Sequence, residues 1–220
     1  MKKLGIATIG QSPRNDVTKE IKRIVGKDVE FIEYGALDGL TLEEVKQIKK
    51  SKEGGILVTS MRDGTEVKVT HDFVTPRIQQ GIYELERKGV DVILLLCTGK
   101  FPEIKSNKLV VMPSEIVWGA VNGALRSGKL AVVLPGKEQV RTNHEKRGEL
   151  DIYYDSASPY GSRSDLELLA KRLATLDLDL IFLNCMGFDH EMKQVVQKIT
   201  GKPVVQASSV VGRVLLEFLD

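Results

Sequence analysis

Two short apolar runs, each ending in Cys-x-Gly, stand out in the hydrophobic pattern of the chain. Residues 90–99 are V-D-V-I-L-L-L-C-T-G and residues 178–187 are L-D-L-I-F-L-N-C-M-G. Each run follows a segment with helical spacing, which is typical of a strand buried on both faces of a parallel sheet. Ligands of open α/β sheets bind outside the carboxyl ends of the strands, where we expect Cys97 and Cys185 to lie.

The similarity between the two runs continues downstream of the cysteines. Each copy has another short apolar run, then a serine at a helix N-cap (Ser114 or Ser208), then an apolar helix. From the cysteine to the middle of that next strand is 13 residues in the first copy and 19 in the second. Only the second linker therefore has room for a full helix. The pattern predicts a degenerate internal repeat of two half-domains, each with one thiol at a strand tip.

Apolar runs and helical segments alternate along almost the whole chain. This alternation predicts the α/β class with parallel sheets. The repeat restarts near Pro113, so the predicted lobes are residues 1–112 and 113–207. A C-terminal helix over residues 208–220 is predicted to pack back on the first lobe.

The first strand is followed by a segment that could bind an anion. Ser12 before Pro13 predicts a helix with serine at the N-cap and proline at N1. The N–H groups of that first turn, with Arg14 beside them, would suit a carboxylate or phosphate. Alternatively, Ser12 is only a cap and Arg14 is solvated, and the spacing does not decide between these two interpretations.

Four more segments between the strands give local predictions. The sequence from Thr41 to Glu44 is a capping box that opens a short helix extending to about Lys52. A third strand ends at Ser60 and is followed by Arg62 in a polar turn. We predict helices over residues 75–88, with Pro76 at N1, and over residues 137–147.

His71 is followed directly by Asp72, and the pair has two interpretations. It could be a base with its orienting carboxylate. A polar pair in a loop is the commoner meaning of such neighbours, and the sequence favours that interpretation.

Composition excludes several classes of function. The net charge is +2, from 32 basic and 30 acidic residues, which gives no electrostatic case for nucleic acid or an anionic membrane. No apolar run approaches the ~18 residues needed to span a bilayer. The N-terminus turns polar too soon for a signal peptide, so we expect a cytoplasmic protein with two reduced thiols. The three histidines and the lack of a Cys/His cluster argue against a zinc site.

The two predicted thiols could act as a pair. If the lobes face each other across a pseudo-two-fold axis, Cys97 and Cys185 would flank one small ligand. A thiolate on one side could remove a proton α to a carbonyl, and a thiol on the other side could return one without any cofactor. Two alternatives stay open. Both could be ordinary buried cysteines, or they could be a redox pair, although thiols far enough apart to hold a substrate lie beyond disulfide reach.

Three segments carry a resemblance to a known family. The chain resembles the AroM family over nearly its full length. The resemblance is clearest in residues 7–16 (A-T-I-G-Q-S-P-R-N-D), in the run ending at Cys97, and in the segment from Asn184 to Phe188. The two-cysteine repeat is similar in turn to the aspartate/glutamate racemase superfamily. This resemblance implies two flavodoxin-like lobes with the site in the cleft between them. It also implies a cofactor-independent mechanism that uses one or both cysteines, and it favours a homodimer over a monomer.

The resemblance also implies roles for particular residues. Cys97 and Cys185 would be the catalytic acid/base or nucleophilic residues, and no metal is implied. Contacts to a small anionic substrate would come from Gln11, Ser12, Arg14, Ser60, Arg62, Thr98, Gly99, Met186 and Gly187.

The resulting hypothesis is a racemase- or isomerase-like enzyme for a small carboxylate, resembling an amino acid or a hydantoin. One alternative is a lyase or cis–trans isomerase that uses a single cysteine. The other is a sensor or metabolite-binding protein without turnover.

Overall fold

The computed structural model describes residues 1–48 and 55–220. The chain divides into two compact units. Unit 1 comprises residues 1–114 and 212–220, and unit 2 comprises residues 115–211. Strands and helices alternate in both units. The main sheet of unit 1 is entirely parallel, and that of unit 2 is parallel except for one antiparallel strand at its edge. The predicted α/β class with parallel sheets is confirmed.

Unit 1 is built on a four-stranded parallel sheet. Its elements are β1 (Lys2–Thr8), α1 (Asn15–Val25), β2 (Val29–Gly35), α2 (Leu42–Lys46), β3 (Ile56–Ser60), β4 (Glu66–Thr70), α3 (His71–Arg87), β5 (Val92–Leu95) and β6 (Leu109–Val111). The strand order is β2-β1-β5-β6, with every neighbouring pair parallel. β3 and β4 form a separate antiparallel hairpin.

Unit 2 is built on a five-stranded sheet. The chain continues with α4 (Pro113–Ala124), β7 (Gly128–Leu134), β8 (His144–Arg147), β9 (Leu150–Ser156), α5 (Arg163–Ala174), β10 (Leu180–Leu183), α6 (His190–Thr200), β11 (Val204–Gln206) and α7 (Ala207–Leu219). The strand order is β11-β10-β7-β9-β8, and β8 is antiparallel to β9.

The parallel strands of the two units follow one topology. In order of appearance, each unit arranges its four parallel strands as second, first, third, fourth, read from one edge of the sheet or the other. This is the beginning of the flavodoxin-like order, in which ligands bind at the carboxyl ends of strands beside the switch point. The predicted linker difference is also confirmed, because α6 lies between β10 and β11 whereas residues 96–108 contain no helix.

Each unit has its own apolar core. Fully buried Ile78, Ile82 and Leu85 on α3 pack with Ile93 and Leu95 of β5 in unit 1. The unit 2 core joins α5 and α6 to β7 and β10 through residues such as Leu169, Val196 and Ile181, again fully buried. These aliphatic side chains recur at helical spacing on the helices, which is why the helices lie on the sheets.

The end of the chain belongs to unit 1. Gly212 of α7 lies against Ile24 of α1, where a β-carbon on the glycine would be 2.8 Å from the Ile24 side chain. A glycine at this position therefore allows the two helices to approach closely.

The predicted helix over residues 137–147 is wrong. This segment is a short 3-10 turn at Lys137–Gln139 followed by the edge strand β8. The segment has too few apolar residues to give a helix a face to bury. As a strand it pairs its backbone with β9, while Arg147 stacks 5.0 Å from the Trp118 ring.

Four predicted helix starts are also wrong. α4 begins at Pro113 and α7 at Ala207, so Ser114 and Ser208 lie in the first turn of their helices and not at the N-cap. α3 begins at His71, so Pro76 lies inside the helix, where its ring removes only one hydrogen bond near the N-terminal end. The interpretation of His71 and Asp72 as a loop pair is therefore incorrect. α1 begins at Asn15 with Arg14 at the N-cap, so Ser12 does not cap it. The Thr41 capping box is confirmed, and the predicted continuation of its helix to Lys52 lies partly outside the described residues.

Candidate functional site at the strand tips

The two cysteines occupy matching positions in their units. Cys97 lies two residues beyond the end of β5, and Cys185 lies two residues beyond the end of β10. In each case the residue before the cysteine donates its N–H to the first strand of its sheet, at 2.8 Å in unit 1 and 2.9 Å in unit 2. The same backbone connection therefore sets the place of each thiol at the carboxyl end of the sheet.

A backbone N–H donates to each sulfur in the same local geometry. The N–H of Gly99 lies 3.3 Å from the Sγ of Cys97, and the N–H of Gly187 lies 3.4 Å from the Sγ of Cys185. Both cysteines are thiols, and Cys97 is half-buried whereas Cys185 is buried. A hydrogen bond donated to sulfur favours the thiolate over the thiol. Each Cys-x-Gly sequence thus folds into a small turn that can stabilise a negative sulfur.

The two residues that follow each cysteine differ in their surroundings between the units. Thr98 and Gly99 are half-buried, whereas Met186 is buried beneath the unit 2 surface. A β-carbon on Gly187 would lie 2.8 Å from Pro159 and 3.0 Å from the hydroxyl of Tyr160. Tyr160 was missed by sequence reasoning, because nothing in its polar loop indicates a contact with the Cys185 turn.

The loop after β1 is fixed by hydrogen bonds to two other segments. The side-chain amide of Gln11 donates to the carbonyls of Leu37 at 3.3 Å and Leu40 at 2.8 Å. Its carbonyl oxygen accepts the N–H of Arg62 at 2.9 Å. The Gln11 side chain therefore holds the loop in place through its own polar groups.

Ser12 is attached to Asp38, a residue that the sequence analysis did not single out. The N–H and hydroxyl of Ser12 donate to the Asp38 carboxylate at 2.8 and 2.6 Å, and Gly35 donates to it at 2.8 Å. Arg62 donates to the Ser12 carbonyl at 2.6 Å and lies 3.6 Å from the Asp38 carboxylate. Asp38 follows β2, the parallel neighbour of β1, and this topology is the signal that could have found it.

The guanidinium of Arg14 is directed into unit 1. Its side chain is 3% exposed and forms a two-fold contact with Asp16 at 2.9 and 2.7 Å. It also donates to the hydroxyls of Thr59 at 2.9 Å and Thr8 at 3.3 Å. Because these partners occupy four of its five N–H donors, the side chain joins α1 to β1 and β3.

Ser60 is almost fully buried at the end of β3. Its carbonyl accepts the N–H of Gln11 at 3.2 Å, and a β-carbon on Gly10 would lie only 2.5 Å from it. A glycine is therefore required for this close approach. The predicted unit 1 residues Gln11, Ser12, Arg14, Ser60 and Arg62 thus form one connected cluster beside the tips of β1 and β3.

Residues 1–48 and 55–220 contain no group of three or more histidine, cysteine, aspartate or glutamate residues that could hold a metal ion. In the same part of the chain, no helix combines the length and apolar character needed to cross a membrane.

Solved structures of a racemase, an isomerase and a decarboxylase have a fold similar to that of this chain. Maleate cis–trans isomerase of Nocardia farcinica is similar over 100% of this chain and 93% of its own, with 14% identity and a TM-score of 0.62. A liganded double variant of arylmalonate decarboxylase matches over 100% and 92%, with 16% identity and a TM-score of 0.60. Glutamate racemase from Aquifex pyrophilus matches over 99% and 84%, with 18% identity and a TM-score of 0.57.

The family itself is defined by sequence. The AroM protein model matches residues 4–219, and the chain belongs to the AroM family. No curated protein matches the chain in sequence. A further structure of the Nocardia isomerase, a cysteine variant with 14% identity and a TM-score of 0.57, carries a covalently bound succinylcysteine intermediate. The family model confirms the predicted family, and the similar structures confirm the predicted fold.

Proposed function

We propose that the protein is a cofactor-independent racemase- or isomerase-like enzyme that acts on a small carboxylate through Cys97 and Cys185. The observation that carries the proposal is the pair of matching turns, in which a glycine N–H donates to each sulfur at 3.3 and 3.4 Å. Thiols at the carboxyl ends of parallel strands lie where ligands of such sheets bind. Two independent turns of one design are more than burial of a cysteine requires.

The reaction we propose is proton transfer at a carbon next to a carbonyl. One thiolate takes the α-proton and becomes a thiol, and the electron pair of the broken C–H bond passes into the carbonyl as an enolate. The other thiol gives its proton to the same carbon and becomes a thiolate, so that protons and charge balance. The backbone N–H groups of Thr98 and Met186 would stabilise the enolate oxygen, while those of Gly99 and Gly187 donate to the sulfurs and favour the thiolates. Inversion of the carbon requires the two thiols to act on opposite sides of it.

The unit 1 cluster is proposed to bind the carboxylate. Arg62 carries the best placed positive charge, because its side chain is 61% exposed while its backbone is fixed to Gln11. Ser12 and Gln11 position the loop after β1, and the carbonyl of Ser60 accepts a hydrogen bond from that loop. Arg14 is proposed to act by holding the segment, since its guanidinium is directed at Asp16, Thr8 and Thr59.

Deuterium exchange tests the proposal on several classes of carboxylate and related compounds at once. Amino acids, hydantoins and substituted malonates are incubated with the protein in D2O, and loss of the α-proton signal is followed by NMR. We expect exchange with at least one member of the panel, and none with the double variant Cys97→Ala, Cys185→Ala. Exchange by the parent that survives in the double variant would overturn the proposed chemistry.

A single-cysteine mechanism is the second candidate. The succinylcysteine intermediate in the Nocardia isomerase favours it, because there a cysteine bonds covalently to the substrate. Inactivation by Cys185→Ala together with full activity of Cys97→Ala would select a lyase or cis–trans isomerase.

A metabolite-binding protein without turnover is the remaining alternative. Tight binding of a carboxylate that neither cysteine substitution weakens would select it. We also propose a homodimer in the cytoplasm, and light scattering of the purified protein tests its oligomeric state.

A further inference from the structure

His71 lies beside the turn that holds Cys97. It is the first residue of α3, and its half-buried ring lies 5.0 Å from the ring of Phe101. A β-carbon on Gly55 would be 3.5 Å from the ring, and one on Gly99 would be 3.3 Å from its Cε1 atom. The imidazole is therefore enclosed between the start of β3 and the loop after β5.

The position of Gly99 sets an upper limit on the distance between the imidazole and the thiol. A β-carbon on this glycine would lie 3.3 Å from the Sγ of Cys97 and 3.3 Å from the Cε1 of His71. The sulfur and the Cε1 atom are therefore separated by at most twice that distance, and a terminal methyl of Leu57 lies 3.0 Å from the same point. A separation within this limit allows proton transfer by direct contact or through one water.

We propose that His71 is the proton partner of Cys97. In the proposed step the S–H bond of Cys97 breaks, its electron pair stays on sulfur, and the proton forms an N–H bond on the imidazole. The products are a thiolate and an imidazolium, so the charge of the pair is unchanged. The role in turnover rests on the proposed function, but the reactivity of the thiol does not. His71 acts through Cys97, and it gives unit 1 a histidine-assisted thiol.

The surroundings of His71 favour the neutral form of its imidazole. Burial lowers the pKa of His71, and the neighbouring Asp72 partly opposes this effect. While Cys97 is a thiol the ring is therefore neutral near pH 7 and has the lone pair that a base needs. Its described neighbours on β3 and the β5 loop, Gly55, Gly99 and Phe101, carry no charge. The charged residue next to His71 in sequence is Asp72, and Lys100 lies between Gly99 and Phe101 in the loop after β5; both are exposed.

The corresponding place in unit 2 has a different neighbour. There a β-carbon on Gly187 would meet Pro159 and the hydroxyl of Tyr160. A phenol has a pKa near 10 and does not take up a proton at neutral pH. His190, the first residue of α6, is exposed. The proposed proton partner therefore distinguishes the first thiol from the second.

Alkylation of Cys97 tests the pairing. The Cys185→Ser variant leaves Cys97 as the only cysteine, and its rate of reaction with iodoacetamide is measured from about pH 5 to pH 10. Adding His71→Gln should lower the rate near pH 7 by roughly tenfold and move the midpoint of the profile to higher pH by about one unit, because thiolate is lost. His190→Gln, the same change at the start of α6, is the control and should leave the profile in place. Superimposed profiles with and without His71 would overturn the proposal.

The reciprocal measurement needs no histidine substitution. The imidazole of His71 is titrated by NMR in the variants Cys97→Ser and Cys185→Ser. We expect its titration to differ from that of the parent in the first variant and to match it in the second. Identical curves in all three proteins would contradict the pairing even if His71→Gln does not fold. Neither measurement uses turnover, so a failed exchange screen and a failed pairing are separate results.

Discussion

Units 1 and 2 each contain four parallel strands arranged in the same order, and each has a cysteine two residues beyond the third strand in chain order. The turn around the sulfur is also the same. The units differ in what lies beside that turn: His71 and Leu57 of β3 in unit 1, and Pro159, Tyr160 and the following helix α6 in unit 2. The shared part is the minimum needed to present a thiol, and the differing parts are where the two thiols can acquire separate properties.

The largest expected effect comes from removing each thiol in turn. Cys97→Ala and Cys185→Ala should each reduce α-proton exchange by about 10²–10⁴-fold, the usual contribution of a positioned acid or base. Initial rates by NMR measure this. Thermal unfolding should be similar to the parent's for both variants, which separates lost chemistry from lost folding. A large loss in only one variant would break the equivalence of the units.

The two units also hold their Arg–Asp pairs differently. Arg14 in unit 1 is 3% exposed, whereas Arg172 in unit 2 is 53% exposed and makes a similar two-fold contact with Asp155. Arg14→Gln should lower the free energy of unfolding by about 2–3 kcal/mol, because buried hydroxyls lose their donor. Arg172→Gln should lower it by less than about 1 kcal/mol. Urea denaturation measures both, and equal effects would contradict the assigned role of Arg14.

The glycines of the two Cys-x-Gly turns should tolerate alanine unequally. A methyl at Gly187 meets the ring of Pro159 at 2.8 Å, whereas a methyl at Gly99 meets a terminal methyl of Leu57 at 3.0 Å. Gly187→Ala should therefore destabilise the protein by about 1–3 kcal/mol, and Gly99→Ala by less, since a leucine can rotate away. Gly119→Ala is a control at an exposed position of α4 and should stabilise slightly. The reverse order for the two turns would show that unit 1 is the more tightly packed.

The smallest expected effect is a pH dependence of stability that comes from His71. Burial lowers the pKa of His71 in the folded protein, so the unfolded chain binds more protons between that value and about 6.5. Stability should therefore fall as the pH decreases through this interval and should be unaffected by His71 above it. Urea denaturation at several pH values should give a weaker acid loss for His71→Gln than for the parent. A matching loss in both would indicate that other groups dominate.

The sequence was sufficient for the features that depend on short segments. The apolar runs before Cys97 and Cys185 predicted buried parallel strands, and linker length predicted α6. What it could not supply are partners distant in sequence. The hydroxyl of Thr59 beside Arg14, the carboxylate of Asp38 beneath Ser12, and the phenol of Tyr160 become neighbours only when the strands are ordered.

Local pattern failed where tertiary pairing decided the structure. Residues 137–147 are charged enough to suggest an exposed helix, but pairing with β9 forms a strand instead. Propensity is a weak guide when a sheet edge offers hydrogen bonds to a polar segment. α3 likewise begins before Pro76, because one lost hydrogen bond does not outweigh the packing of an otherwise apolar face.

The most direct test of the central claim, that both thiols serve one substrate, is protection from alkylation. The parent protein is treated with iodoacetamide while the carboxylate found in the exchange screen is increased, and modification of Cys97 and Cys185 is measured separately by mass spectrometry of peptides. We predict that both cysteines become protected with the same half-saturating concentration. Protection of one cysteine alone would contradict the two-thiol account and leave the single-cysteine mechanism in its place.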